Sequence, residues 1–302
     1  MTRHSARTAR GGSGDCAPHW SPELEALGAG LVLEALDEDL GIRGDVTSEA
    51  VVGPQDRASG RILARGSGVL AGVSIAARCF EHFSVEVKVE REDASEVAPG
   101  DGVLVLSGAA RGILAAERTA LNFLGRLSGI ATLTARYVRL AAPHGTRVLD
   151  TRKTTPTFRR LEKYAVACGG GVSHRSGLYD MVLLKENHVA LAGGIEAAVR
   201  CARSVTGGTV AVEVEVRTLA ELESALRAPV DRIMLDNFSN ADLRSAVQRC
   251  GGRVPLEASG GIDLDTVETV AATGVDYVSV GALTHSAPCL DLSLLLDVVP
   301  SV

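Results

Sequence analysis

From residue 147 onward the chain alternates in a way that leaves few folds open. Apolar runs at 147–150, 181–185, 210–216, 232–236, 254–258 and 277–280 are separated by helix-length segments. Those segments lie at 157–168, 194–205, 219–227, 240–250 and 264–273. Strands that are apolar almost without interruption are buried on both faces, so the pattern predicts a parallel sheet with helices outside it. Six such strands fit an α/β barrel, incomplete or open. A doubly wound sheet is the rival arrangement, but no G-x-G-x-x-G follows a strand and no P-loop is present.

The polar residues that end these runs are the second constraint. In order they are Asp150/Thr151/Arg152/Lys153, Lys185/Glu186/Asn187/His188, Glu213/Glu215, Asp236/Asn237, Ser259-Gly260-Gly261 and Gly281. In a parallel barrel the C-terminal strand ends share one face, and active sites are built there. One or two charges fall there by chance; a series at successive strand ends marks an enzyme face. The densest is Asp150-Thr-Arg-Lys-Thr-Thr155, a strand end that delivers a guanidinium, an ammonium and three hydroxyls before Pro156. The guanidinium offers a planar fork for a carboxylate or phosphate and the lysine a compact charge. Only four lysines stand among the 31 cationic residues, which gives weight to one placed at a strand end.

Glu213 and Glu215 alternate along one strand, so both face the same way. Inward carboxylates are costly unless paired or metal-bound, and Asp236 ends the next strand beside them. They are candidates for salt bridges to the cations, for Mg²⁺, or for sugar hydroxyls. Gly169-Gly-Gly171 precedes Val-Ser-His174-Arg175, and the glycines are expected to bring the backbone close to a ligand that the two cations also meet. His188 is expected to be structural. The turns Ser259-Gly-Gly-Ile262 and Gly281-Ala-Leu-Thr-His285 follow the last two strands, where barrels frequently cradle a phosphate. Together these suit a phosphorylated sugar and a carboxylated co-substrate.

Residues 1–19 carry no periodicity and are expected to form a disordered tail. A helix starts at Ser21-Pro22-Glu23, with Ser21 as N-cap, and ends near Gly41; Gly44-Asp-Val-Thr47 is expected as a turn. Short runs at 58–64, 68–73, 84–89 and 102–108 suggest a small antiparallel sheet, followed by a helix over 111–127. Residues 20–128 are thus an α+β domain whose last helix crosses into a 129–302 barrel domain, with the final helix free to pack back. The net charge of −6 argues against nucleic acid, and no apolar run reaches the roughly 20 residues of a membrane span. The six cysteines show no C-x-x-C pair and are expected to be reduced thiols of a cytoplasmic protein, mostly core filler. No G-x-S-x-G or zinc spacing is present.

The chain resembles the quinolinate phosphoribosyltransferase family. The residues that carry this are Glu117-Arg-Thr-Ala-Leu-Asn122, Asp150-Thr-Arg-Lys-Thr-Thr-Pro156, Leu161-Glu-Lys-Tyr-Ala165, Gly169-Gly-Gly-Val-Ser-His-Arg-Ser-Gly177, Leu184-Lys-Glu-Asn-His188, Glu213-Val-Glu-Val216, Met234-Leu-Asp-Asn237 and Ala258-Ser-Gly-Gly-Ile262. Leu36-Asp-Glu-Asp-Leu-Gly41 with Gly44-Asp-Val-Thr-Ser48 extends the match toward the N-terminus. The resemblance implies an open-sandwich α+β domain before an incomplete α/β barrel. It implies a homodimer with shared active sites, hexamer left open, and transfer of a phosphoribosyl group to quinolinate with loss of CO₂.

By resemblance, Arg118 would reach the neighbouring subunit's site, Arg152, His174, Arg175 and Lys185 would hold quinolinate, and Thr151 would be a substrate-binding residue beside them. Lys153 would lie between quinolinate and phosphoribosyl diphosphate. Glu215 and Asp236 would hold the ribose hydroxyls and Mg²⁺, and with Lys153 would form the catalytic set. Ser259, Gly260, Gly261, Val280, Gly281 and Ala282 would bind the 5-phosphate. Three positions depart from the family pattern: Thr157 stands where Gly is usual, Ser173 where Asn is usual and Glu186 where Asp is common. Rival readings are a paralogue with another aromatic carboxylate as acceptor, a Schiff-base aldolase using Lys153 or Lys185, and a non-catalytic anion-binding protein.

Overall fold

The computed structural model describes residues 18–298. Of the expected tail, residues 1–17 lie outside the described residues. The strands are β1 (Arg57–Ala64), β2 (Gly68–Val69), β3 (Glu86–Val89), β4 (Glu96–Val97), β5 (Gly102–Ala109), β6 (Arg147–Leu149), β7 (Val182–Leu184), β8 (Val212–Val216), β9 (Arg232–Asp236), β10 (Leu256–Ser259), β11 (Tyr277–Ser279) and β12 (Leu292–Val298). The helices are α1 (Pro22–Leu40), α2 (Val46–Val51), α3 (Val73–Glu81), α4 (Ala110–Ala141), α5 (Arg159–Cys168), α6 (Glu186–Ala192), α7 (Ile195–Thr206), α8 (Leu219–Leu226), α9 (Asn240–Cys250), α10 (Val267–Ala271) and α11 (Ala282–His285).

The second half builds one six-stranded parallel sheet in the order β6-β11-β10-β9-β8-β7. Chain neighbours β6 and β7 stand at its two edges, which is a barrel left open at one seam. The loop after α5 partly fills that seam: Val172 forms a parallel bridge with Leu149, and its N–H donates to the Val148 carbonyl at 2.8 Å. The expected incomplete α/β barrel is what the chain forms. The N-terminal half contributes an antiparallel sheet, β12-β1-β5-β3, and the small pair β2-β4.

Four local expectations change. Residues 44–47 are the start of α2, not an isolated turn, because the Asp45 carboxylate accepts from the Thr47 and Ser48 N–H groups at 3.1 and 3.0 Å. The 68–73 run stops as a strand at Val69, and Gly72, at φ +89°, turns the chain into α3. That helix, which no expected run covered beyond Val73, buries Val73, Ile75, Ala76, Ala77, Cys79 and Phe80.

The helix expected over 111–127 runs on to Ala141, crossing the expected boundary near residue 128. Its Gly125 and Gly129 do not end it. A Cβ at Gly129 would meet the Pro288 carbonyl oxygen at 2.0 Å, and one at Gly125 the Leu290 carbonyl oxygen at 3.1 Å. These glycines let the returning chain press against the helix.

That returning chain is the fourth change. The final element is a strand where a helix was expected. β12 pairs antiparallel with β1 from Ala58↔Val298 to Ala64↔Leu292, so residues 292–298 belong to the N-terminal sheet. An alternating run such as Leu292–Val298 satisfies its backbone only if a sheet edge is there to receive it. Of the cysteines, Cys79, Cys168 and Cys250 are buried, whereas Cys201 and Cys289 are exposed; Cys16 lies outside the described residues.

Candidate active site

The C-terminal strand ends of the barrel enclose a cavity of about 830 Å³. Thr151, Arg152, Lys153, His174, Arg175, Lys185, Glu215, Asp236, Ser259, Gly260, Gly261, Val280, Gly281 and Ala282 all line it. Arg118 does not. It sits on α4 in a separate hollow with Glu38, Asp39, Asn122 and Phe158. Within one chain, then, every expected site residue except Arg118 is brought together.

One wall is cationic. Arg152 and Lys153 follow β6, Arg175 comes from the seam loop, and Lys185 caps α6. Burial lowers the Arg175 guanidinium below its ordinary value, and the neighbouring Arg152 lowers it further. Two guanidiniums that repel each other across a cavity are a site for an anion. His188 is structural as expected: its Nδ1 accepts from the Lys185 N–H at 3.0 Å and caps α6.

The wall beside Lys185 is acidic. Glu215 on β8 and Asp236 on β9 reach the cavity, with side chains 9% and 18% exposed. Arg217, which the sequence reading missed, lies 3.8 Å from Glu215 and 3.7 Å from Asp236 and also pairs with Glu186. Lys185 Nζ is 3.5 Å from Glu215. Arg217 follows the end of β8 by a single residue, so a closer count of charges just past each strand would have found it.

The floor is a buried polar cluster. Glu213 and Glu257, both 0% exposed, face His174 Nε2 at 3.0 and 3.6 Å. Arg232 reaches Glu257 at 3.0 Å and lies over the Tyr277 ring, 4.6 Å from its centroid. The Arg175 N–H donates to His174 Nδ1 at 2.7 Å, so the imidazole proton is on Nε2 and faces the carboxylates. His174 is therefore aimed into the floor by Nε2, although its ring also borders the cavity. Burial and then Glu213 push the Glu257 carboxyl up to about 7; burial likewise raises Glu213 and lowers His174. His174 Nε2 and both Glu213 oxygens are buried and make no hydrogen bond, although Nε2 lies 3.0 Å from Glu213. Sequence alternation placed Glu213 inward but missed Glu257.

The third wall is backbone. Gly260, at φ +101°, packs so tightly that a Cβ would meet Asn237 Oδ1 at 2.2 Å, while a Cβ at Gly261 would meet nothing. Gly281 sits against Lys153, whose Cδ would be 2.9 Å from an added Cβ, and Thr284 Oγ1 donates to the Lys153 carbonyl at 2.7 Å. The lysine thus spans from the cationic wall to the glycine loops. The expectation for Gly169–Gly171 is corrected. Gly169 and Gly171 face α4, where a Cβ would meet Ala131 O at 2.3 Å and Thr134 Cγ2 at 2.8 Å; neither lines the cavity. They permit helix packing, not ligand approach.

Comparison with known proteins follows the same division of the chain. Residues 45–128 match the model of the quinolinate phosphoribosyl transferase N-terminal domain, and residues 130–295 match that of the C-terminal domain. This chain belongs to the quinolinate phosphoribosyltransferase family. The carboxylating nicotinate-nucleotide pyrophosphorylase of Mycobacterium leprae is 42% identical over 270 residues, covering 87% of this chain and 95% of that one. A probable enzyme of the same name from Bacillus subtilis is 40% identical over 259 residues, covering 85% and 89%. Among solved structures, NadC from Streptococcus pyogenes superposes with a TM-score of 0.88 at 40% identity, covering 93% of this chain and 99% of that one. The Francisella tularensis nicotinate-nucleotide pyrophosphorylase gives 0.87 at 41% identity, covering 90% and 96%. The three-walled cavity lies within the C-terminal match of this family member, and Arg118 lies within the N-terminal one. Among the described residues no helix is long and apolar enough to cross a membrane.

Proposed function

We propose that the protein transfers the phosphoribosyl group of phosphoribosyl diphosphate to quinolinate and decarboxylates the product, releasing nicotinate mononucleotide, diphosphate and CO₂. The observation that carries this is the convergence in one cavity of a four-cation wall, a two-carboxylate wall and two glycine loops. A pyridine dicarboxylate needs the first, a ribosyl cation the second and a 5-phosphate the third.

Quinolinate's two carboxylates meet Arg152, Arg175 and Lys185, with Thr151 beside them. His174 supports that wall from beneath, its ring nitrogens being committed to the floor and to the Arg175 backbone. Glycine backbone at Ser259–Gly261 and Val280–Ala282 receives the phosphate. The two anionic substrates would repel one another in water; the cations hold them in contact. Lys153 stands at their junction because it alone spans both walls.

The ring nitrogen then forms a bond to C1 of the ribose as the C1–oxygen bond breaks and its electron pair leaves with diphosphate. Glu215 and Asp236 stabilise the positive charge that develops on the sugar. The C2–carboxylate bond of the resulting pyridinium breaks next. Its electron pair stays on C2, which takes up a proton as CO₂ departs.

Glu215 and Asp236 offer only oxygen donors, partly open to a cavity with room for water and substrate oxygens, which suits Mg²⁺. When bound, Mg²⁺ supplies neutralising charge to the diphosphate leaving group. Arg118 does not line its own chain's cavity, and a homodimer that places it in the partner's site accounts for its position.

The departures at Thr157 and Ser173 leave the acceptor unchanged, since neither side chain lines the cavity. The test is direct. Purified protein with quinolinate, phosphoribosyl diphosphate and Mg²⁺ should release CO₂ and diphosphate, and should not do so with nicotinate. Protein that binds both substrates and releases neither product would sink the reading.

A further inference from the structure

One motif has no part in the chemistry above: the adjacent buried charges Glu162 and Lys163 on α5. Both are enclosed, with side chains 0% and 7% exposed. Charged residues are almost never so buried unless paired, and here each is paired to a different end of the same loop.

Lys163 Nζ donates to Asp150 Oδ1 at 2.5 Å and to the His174 carbonyl at 3.0 Å. The His174 N–H donates to the same Asp150 oxygen at 2.8 Å. Three segments thus meet at one carboxylate: the end of β6, helix α5 and the seam loop. Glu162 accepts from the Thr155 N–H and hydroxyl, both at 3.0 Å, and from Arg126 at 2.8 Å. Residues 150 and 155, the two ends of the loop bearing Arg152 and Lys153, are therefore fastened to neighbouring positions on one helix.

Of the two guanidiniums, that of Arg175 donates through Nη1 to the Met181 carbonyl at 3.2 Å, whereas Arg152 is not held this way. Arg152 Nε is buried and has no hydrogen-bond partner. Its place comes from its backbone, two residues from Asp150. Arg175 follows His174 directly, so its backbone hangs from the same Lys163–Asp150 junction. A buried ion pair contributes little net stability compared with an apolar pair of similar volume. What it does contribute is a fixed distance between the two segments it joins.

The structure assigns Lys163, through its pairing with Asp150, as the positioning residue that sets the spacing of Arg152 and Arg175 for a dicarboxylate. This rests on the activity proposed above and specifies how its acceptor wall is held.

The test compares K163M, D150N and the double variant D150N/K163M with wild type, by steady-state kinetics and thermal unfolding. K163M should raise KM for quinolinate at least tenfold and leave KM for phosphoribosyl diphosphate within twofold. The double variant leaves no unpaired buried charge, so its Tm should recover most of the way to wild type while its quinolinate KM stays high. A double variant that recovers quinolinate KM together with Tm would reduce Lys163 to a stabilising role and overturn the assignment. So would a quinolinate KM within twofold of wild type in K163M, or in the double variant should K163M not fold.

Calorimetric binding of benzene-1,2-dicarboxylate separates this from the activity itself. If wild type shows no turnover, the activity reading fails. Tenfold weaker dicarboxylate binding by the variants would still support the positioning role, and equal binding would overturn it.

Discussion

Thr157 follows Thr-Thr-Pro at the position where the family usually has glycine, and the fold explains that preference. Its φ is +66°, in the left-handed region that a β-branched residue rarely adopts. Holding an L-residue there costs about 1–2 kcal/mol, and glycine escapes that cost. Against this, glycine loses about 0.5–1 kcal/mol more conformational entropy on folding. The side chain is exposed, so its removal opens no cavity, and its hydroxyl donates only to the preceding Pro156 carbonyl at 2.6 Å, beside solvent. T157G should therefore stabilise the protein by about 0.5–1 kcal/mol. For a chain of this size that is a rise in Tm of roughly 1–2 °C. Scanning calorimetry of wild type, T157G and T157A at one pH measures it. Alanine keeps its Cβ and hence most of the strain, so T157A should gain less than T157G. A Tm for T157G below that of wild type, with T157A unchanged, would show that the left-handed threonine is not strained.

Two further outcomes follow from the floor of the cavity and from Arg118. Glu257 is held near pH 7 by burial and Glu213, against an ordinary value of 4.5, so the folded state binds its proton more tightly than the unfolded state. The stability it contributes is complete below about 4.5 and is lost as pH rises to 7, by about 3 kcal/mol at roughly 1.4 kcal/mol per pH unit. The difference in unfolding free energy between wild type and E257Q should fall across that window, and a flat difference would mean that the carboxyl is ionised throughout. His174, Glu213, Arg232 and Ser279 face the same carboxyl and remain in both proteins. Mixing R118A with K153A should restore part of the activity through heterodimers holding one intact site; no recovery after confirmed subunit exchange would place Arg118 outside the partner's site.

Much of the barrel was legible because its signals are local. Burial makes β7 and β9 largely apolar, and a charge at the end of such a strand, or alternating with valine along β8, stands out. Lys153, Lys185, Glu215 and Asp236 were each found in that way and share one cavity. Capping chemistry is equally local, and Ser21 accepts from the Leu24 N–H at 3.3 Å as its position before Pro22 implies. The Asp45 cap of α2 and Arg217 just past β8 were local signals passed over; the other errors fall where the deciding partner is remote. Gly129 and Gly169 resemble breaks or flexible joints until the Pro288 and Ala131 carbonyls that press on them are in place. Glu257 resembled an ordinary polar residue in a strand because its neighbours, Glu213, His174 and Arg232, come from three other parts of the chain.

What the amino-acid sequence determined by itself was the parallel α/β architecture, the face on which chemistry is built and the ionic character of each strand end. All of these follow from periodicity and residue type over a few positions. The tertiary structure alone decided that β12 completes the N-terminal sheet and that Arg118 stands apart from its own chain's cavity. It alone decided that His174 turns down into a buried acidic floor, and that Glu162 and Lys163 fasten the anion-binding loop. Each of these depends on which distant groups meet, and a buried charge or a bare strand edge has no defined partner until the chain has folded around it.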